Sequence, residues 1–139
     1  MKLLTLQIGS NLNCRVLLVE DGLDNQHLIA QVLRKAGADV SVAENGQVAV
    51  DVALAAKQAE RAFDIILMDI QMPVMDGYEA TRQLRKTGYT NPIIALTANA
   101  TTKNRQKCLD IGCNDYMTKP FNISTFVMVL AQHLAWESL

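Results

Sequence analysis

Residues 64–77 read DIILMDIQMPVMDG. The run IILM is continuous and apolar, the pattern of a strand buried on both faces of a sheet. It runs straight into a carboxylate, Asp69, and then into a segment punctuated by Met72-Pro73 and Asp76-Gly77, a loop signal. Asp76 can accept from a backbone N–H in the first turn of a helix that follows. Glu79, three residues on, can return the bond as a capping box does. The stretch therefore predicts a buried strand, a charge at its end, a tight loop and a helix over 76–86.

The same unit recurs on both sides. Residues 14–20 (CRVLLVE) predict a strand, and 24–36 a helix with Leu28, Ile29, Val32 and Leu33 at helical spacing, stopped by Gly37. Residues 39–43 (DVSVA) alternate as a second strand, and the Ala-rich 45–61 forms a helix with Val48, Val52 and Ala55 on one side. The third strand spans 63–68, the fourth 92–97 (PIIALT) and the fifth 115–118 (DYMT). A polar helix over 101–111 ends at Gly112, and a last helix covers 123–136. In that helix Ile123, Phe126, Val127, Leu130 and Leu134 make a core stripe, with Val129 and Trp136 opposite. Strands alternating with helices imply βαβ units, hence a parallel sheet covered on both faces. Right-handed crossovers leave few strand orders for this doubly wound, three-layer α/β sandwich.

A chain of 139 residues suits one domain with a self-sufficient core. Thirteen basic and fourteen acidic residues give a net charge of -1, which offers nucleic acid or a membrane surface no electrostatic hold. No apolar run approaches the ~20 residues that span a bilayer. The three cysteines, Cys14, Cys108 and Cys113, are odd in number and lack zinc-ligand spacing, so they read as reduced thiols of a cytoplasmic protein. Residues 1–13 add nothing to the pattern and read as a linker or leader; 14–139 form the domain.

In sheets of this kind, ligands sit beyond the carboxyl ends of the strands. The first strand ends on Glu20-Asp21, the third on Asp69, the fourth on Thr97 and the fifth on Lys119-Pro120. Parallel strands bring all of these to one rim. Each alone has an ordinary explanation: an Asp after a strand is usually a turn or cap residue, a Thr a strand former, a Lys before Pro a solvated turn. Their joint placement carries the functional reading. Three carboxylates in one place repel each other, and a hard divalent cation with oxygen ligands, Mg²⁺ beside phosphate, relieves that repulsion. With Lys119 and the Thr97 hydroxyl, such a site can hold a phosphoryl group, and the Asp69 carboxylate can attack it to form an acyl phosphate.

With these residues assembled, the chain resembles the receiver domain of two-component response regulators over about residues 14–136. The motifs are VLLVED at 16–21, DIILMDIQMPVMDG, PIIALTANA at 92–100 and DYMTKPF at 115–121. ALTANA and EDxxxNQ are most like receivers of hybrid sensor histidine kinases. The resemblance implies a flavodoxin-like (βα)5 fold with strand order 2-1-3-4-5. It implies Asp69 as phosphoacceptor, Thr97 and Lys119 on phosphoryl oxygens, and Tyr116 as the aromatic that turns inward when Thr97 moves. Mg²⁺ would be held by Asp21 directly, by Glu20 through water, and by Asp69 and the Gln71 backbone carbonyl. A cis Lys119-Pro120 bond would aim the lysine.

A domain of this family is a phosphoacceptor rather than an enzyme in its own right. It can phosphorylate itself from small donors and loses the group slowly. Its donors are a histidine kinase or a histidine phosphotransfer domain, the latter expected on the first helix after Asp21. Self-association is expected through the fourth helix, fifth strand and fifth helix, and the location is cytoplasmic, including the cytoplasmic part of a membrane-bound kinase. The sequence departs from the family pattern at Glu20, where Asp is usual, and at Gly22, where EDGLDNQ replaces the Asn of EDNxxNQ. Gln71 and Asn99 occupy variable positions that tune phosphoryl lifetime. The rival readings are a stand-alone regulator, an interaction module that takes no phosphate, and an Asp-nucleophile phosphatase of the haloacid-dehalogenase type. Such phosphatases place a second Asp two residues after the nucleophile for proton transfer. Gln71 stands there and cannot do that work.

Overall fold

The computed structural model describes residues 12–72, 74–98, 101–118 and 123–138. The strands are β1 (Arg15–Val19), β2 (Asp39–Ala43), β3 (Ile65–Asp69), β4 (Ile93–Thr97) and β5 (Asp115–Thr118). The helices are α1 (Leu23–Lys35), α2 (Gly46–Gln58), α3 (Gly77–Lys86), α4 (Thr102–Ile111) and α5 (Ile123–Ser138). The five strands pair in parallel in the order β2-β1-β3-β4-β5, as the resemblance implies. With β3 at the centre, every residue from Ile65 to Asp69 is buried.

Successive strand residues face opposite sides of the sheet, and the core divides accordingly. Leu17, Val19, Ile66, Met68, Ile93 and Ala95 pack under α2, α3 and α4 through Ala49, Val50, Ala53, Ala80, Leu84 and Cys108. Val16, Leu18, Ile65, Leu67, Ile94 and Leu96 pack under α1 and α5 through Ile29, Ala30, Leu33, Phe126 and Leu130. Small alanines on α2 let that helix lie close to the sheet. Helix starts follow the expected chemistry: the side chains of Asn45, Asp76 and Thr101 accept from Val48, Glu79 and Asn104 N–H groups.

Several local expectations are corrected. On α1 the buried arc is Gln26, Ile29, Ala30 and Leu33, while Leu28 is exposed and Val32 half-buried. Gln26 turns inward because its side-chain amide donates to the Glu20 carbonyl at 2.6 Å, rotating the arc away from Leu28. On α2 the buried residues are Gly46, Ala49, Val50 and Ala53; Ala55 faces solvent, and Val48 and Val52 sit at the edge. Glu79 does not close a reciprocal capping box but binds Arg82 and Gln83 one turn on. On α5, Val129 is half-buried against the core and Met128 is exposed; the Trp136 side chain lies outside the described residues. Just before the expected boundary at residue 14, Leu12 donates its N–H to the Ala36 carbonyl and packs on the core.

Burial governs the thiols. All three cysteines are free and buried. Loss of hydration pushes Cys14 up to about 11 and Cys113 up to about 12, and raises Cys108, so the reactive thiolate is suppressed. Iodoacetamide at neutral pH is expected to label the native chain negligibly over an hour and all three thiols once urea unfolds it; intact mass reads the difference. Fast labelling without denaturant would contradict this packing.

Candidate functional site

The registers set the site. Val19 pairs with Met68, so Glu20 emerges beside Asp69. Asp69 pairs with Leu96, which sets Thr97 one step further out on the next strand. Thr97 pairs with Thr118, the last described residue of β5. Lys119, Pro120 and Asn99 lie outside the described residues, and with them the expected cis bond.

Carboxylate oxygens of Glu20, Asp21 and Asp69 all lie within 4.8 Å of one another. Glu20 and Asp69 are buried, at 1% and 3% exposure, and Asp21 opens to solvent. Backbone dipoles hold the buried pair. Glu20 Oε2 accepts from the Gly22 N–H at 3.0 Å, and Asp69 Oδ1 from the Gln71 N–H at 3.1 Å. Gly22 is the N-cap of α1 and offers no side-chain cap; Glu20 Oε2 satisfies the N–H of Gly22 itself, not the first-turn N–H groups that an Asn at 22 would reach. Thr97, the last residue of β4, is 5% exposed. Three hard oxygen donors around a shared point suit Mg²⁺.

The β3–α3 loop is fixed at both ends. Gly77 N–H donates to the Ile70 carbonyl at 3.1 Å, and Gly46 N–H, at the start of α2, to the Met75 carbonyl at 3.2 Å. Gly77 touches the nucleophile strand itself: a Cβ there would sit 2.3 Å from the Asp69 carbonyl oxygen. Neither contact is visible in the residue pattern: Gly46 meets Met75 from a distant part of the chain, and Gly77 meets Asp69 and Ile70 only once the loop has folded back. Gln26 was also missed, although it belongs to the EDxxxNQ motif.

Tyr116 is half-buried and packs on the α2–α3–α4 side, with the Arg105 guanidinium 5.4 Å from its ring centre. Its N–H bonds Asp115 Oδ1, whose other oxygen meets His133 Nε2 at 3.1 Å. Beside the carboxylates a groove of about 470 Å³ opens between α3 and α4. It is lined by Ile70, Gln71, Met72, Asp76, Tyr78, Thr97, Asn104 and Lys107.

The pattern of the response regulator receiver domain family matches residues 16–131. Among curated proteins, hybrid signal transduction histidine kinase M of Dictyostelium discoideum is 43% identical over 120 residues, covering 83% of this chain and 5% of that protein. The chain thus spans a small part of the hybrid kinases it matches. Among solved structures, the receiver domain of sensor histidine kinase PA1611 from Pseudomonas aeruginosa, with a magnesium ion coordinated in its active-site cleft, is 42% identical with a TM-score of 0.75, covering 88% of this chain and 98% of that one. The receiver domain of the Saccharomyces cerevisiae response regulator Ssk1, solved with the histidine phosphotransfer protein Ypd1, has a TM-score of 0.82 at 32% identity, covering 91% of this chain and 92% of that one. The carboxylate cluster, the strand order and these likenesses agree: the chain belongs to the response regulator receiver domain family of two-component signalling.

Proposed function

We propose that this domain accepts a phosphoryl group on Asp69, with Mg²⁺, and passes the change on through Thr97 and Tyr116. The observation that carries the reading is the meeting of Glu20, Asp21 and Asp69 at the strand ends with Thr97 on the neighbouring strand. Asp21 would bind the ion directly, Glu20 would steady it through water, and Asp69 and the Gln71 carbonyl would complete the protein's share. Lys119 would hold a phosphoryl oxygen. The ion supplies charge neutralisation where phosphoryl oxygens gather. The chain's residues supply position: the Gln71 N–H holds one Asp69 oxygen and so helps orient the carboxylate.

The donor would be a phosphohistidine on a kinase or phosphotransfer domain, by analogy with the Ssk1–Ypd1 pair, and the parent protein a hybrid sensor kinase working on the cytoplasmic side. Residues 1–13, of which Leu12 already rests on the core, would then lead into this domain from the connection to preceding ones, and the fourth helix, fifth strand and fifth helix would be the output face. Among the described residues no helix is long and apolar enough to cross a membrane.

Incubation with acetyl phosphate and Mg²⁺ should add the mass of one phosphoryl group to the chain, and Asp69→Asn should abolish the gain. An equal gain in Asp69→Asn, or rapid turnover of a phosphomonoester, would sink the assignment.

A further inference from the structure

The groove between α3 and α4 is on the opposite side of the sheet from α1, the helix on which a phosphotransfer partner is expected. It reaches the site directly, since Gln71 and Thr97 line it and Gln71 N–H holds Asp69 Oδ1. Among the described residues its wall carries one ammonium, that of Lys107, which lies 4.2 Å from the Tyr78 ring centre. Among the described residues, no carboxylate lies within ion-pair distance of Lys107. The one acid among the described residues lining the groove, Asp76, accepts from the Glu79 N–H as the cap of α3. The ring fixes the cation without neutralising it, because a π face attracts a cation and carries no net charge.

The geometry points to Lys107 as a specificity-determining residue for small phosphodonors: the α3–α4 groove seats the donor's leaving group, and the Lys107 ammonium favours one that departs as an anion. This rests on Asp69 being the phosphoacceptor. When acetyl phosphate reacts, an Asp69 oxygen bonds to phosphorus as the bond from phosphorus to the acetyl oxygen breaks. The electron pair leaves with acetate, and no proton moves. Total charge is -3 on both sides for the dianionic donor and the carboxylate. Negative charge therefore grows on the leaving oxygen, which the proposed seating places in the groove that Lys107 lines. Phosphoramidate reacting as its N-protonated form releases neutral ammonia, so Lys107 gains nothing from its departure. A protein donor arriving over α1 does not occupy the groove.

The test compares rates of Asp69 phosphorylation, read on phosphate-affinity gels with saturating Mg²⁺. The donors are acetyl phosphate, phosphoramidate and a phosphorylated histidine phosphotransfer protein such as Ypd1. Lys107→Ala is expected to slow the acetyl phosphate reaction about five-fold, the scale of one partly screened charge. Lys107→Arg should restore most of that loss, and the rates with the other two donors should change less than about two-fold. Equal loss with all donors, or none with acetyl phosphate, overturns the proposal. So does a wild-type chain that takes phosphate from the protein donor but not from acetyl phosphate, which would leave Asp69 standing as acceptor. A wild-type chain that takes phosphate from none of the three would remove the acceptor reading itself.

Discussion

Gly77→Ala is expected to lower the urea midpoint by about 2 M, or to leave the protein insoluble, the result of about 3 kcal/mol or more of lost stability. The added Cβ would stand 2.3 Å from the Asp69 carbonyl oxygen and 2.8 Å from Ile70 Cα. Both are backbone atoms. A flexible side chain can swing away from a new methyl, but these atoms belong to the central strand and to the peptide that leaves it. Relief would require α3 to lift from β3, breaking the Gly77 N–H bond to Ile70 and unpacking Ala80 and Leu84. Gly22→Asn is the internal control. Its Cβ has only ordinary contacts, 3.6 Å from Glu20 Oε2, and Asn caps helices slightly better than Gly, so a change of a few tenths of a kcal/mol is expected. A Gly77→Ala midpoint within 0.5 M of the native value would show that the loop yields where the packing says it cannot.

The contrast between these glycines marks what can be read from sequence and what cannot. Asp76-Gly77 was legible as a loop end and helix start, because capping chemistry is local. That Gly77 lies against the strand carrying Asp69 is a tertiary fact with no local signature. The strand ends were legible for a physical reason. A carboxylate directly after a run such as IILM or VLLV violates binary patterning, and in a parallel sheet all such violations gather on one rim. Glu20, Asp21, Asp69 and Thr97 therefore stood out together. Helix faces were harder. Leu28 is as apolar as Ile29, and Gln26 looks like a surface residue until the Glu20 carbonyl is placed beside it. Rotating an arc by one residue preserves helical spacing and exchanges one leucine for another side chain, so spacing alone does not choose. Lys107 and Tyr78 escaped notice for a similar reason: a lysine in a polar helix acquires meaning only when α3 brings an aromatic face to it.

The second large effect concerns the metal. Mg²⁺ at a hundredfold over its dissociation constant is expected to stabilise the wild-type fold by about 2.7 kcal/mol, a rise of roughly 8–10 °C in melting temperature for a domain of this size. Asp21→Asn should lose most of that rise, and its phosphorylation by acetyl phosphate should slow about a hundredfold, the scale of a metal's charge stabilisation. The same substitution should raise the melting temperature of the metal-free protein. Glu20 and Asp69 are held in place by the Gly22 and Gln71 N–H groups, so they cannot separate to relieve repulsion from a third carboxylate within 4.8 Å. Removing the Asp21 charge relieves it directly. The two shifts have opposite sign, which sets this prediction apart from a substitution that merely damages the fold: damage lowers both curves. Differential scanning fluorimetry of the two proteins, with Mg²⁺ and with chelator, reads all four states. Equal Mg²⁺ shifts in wild type and Asp21→Asn would remove Asp21 from the metal site. A lower metal-free melting temperature for the variant would mean that the Asp21 carboxylate stabilises the rim it crowds. The tension is the expected one for a binding site assembled before its cation arrives. A higher metal-free melting temperature for Asp21→Asn would show that the fold holds three carboxylates together at a cost to its own stability, which binding recovers.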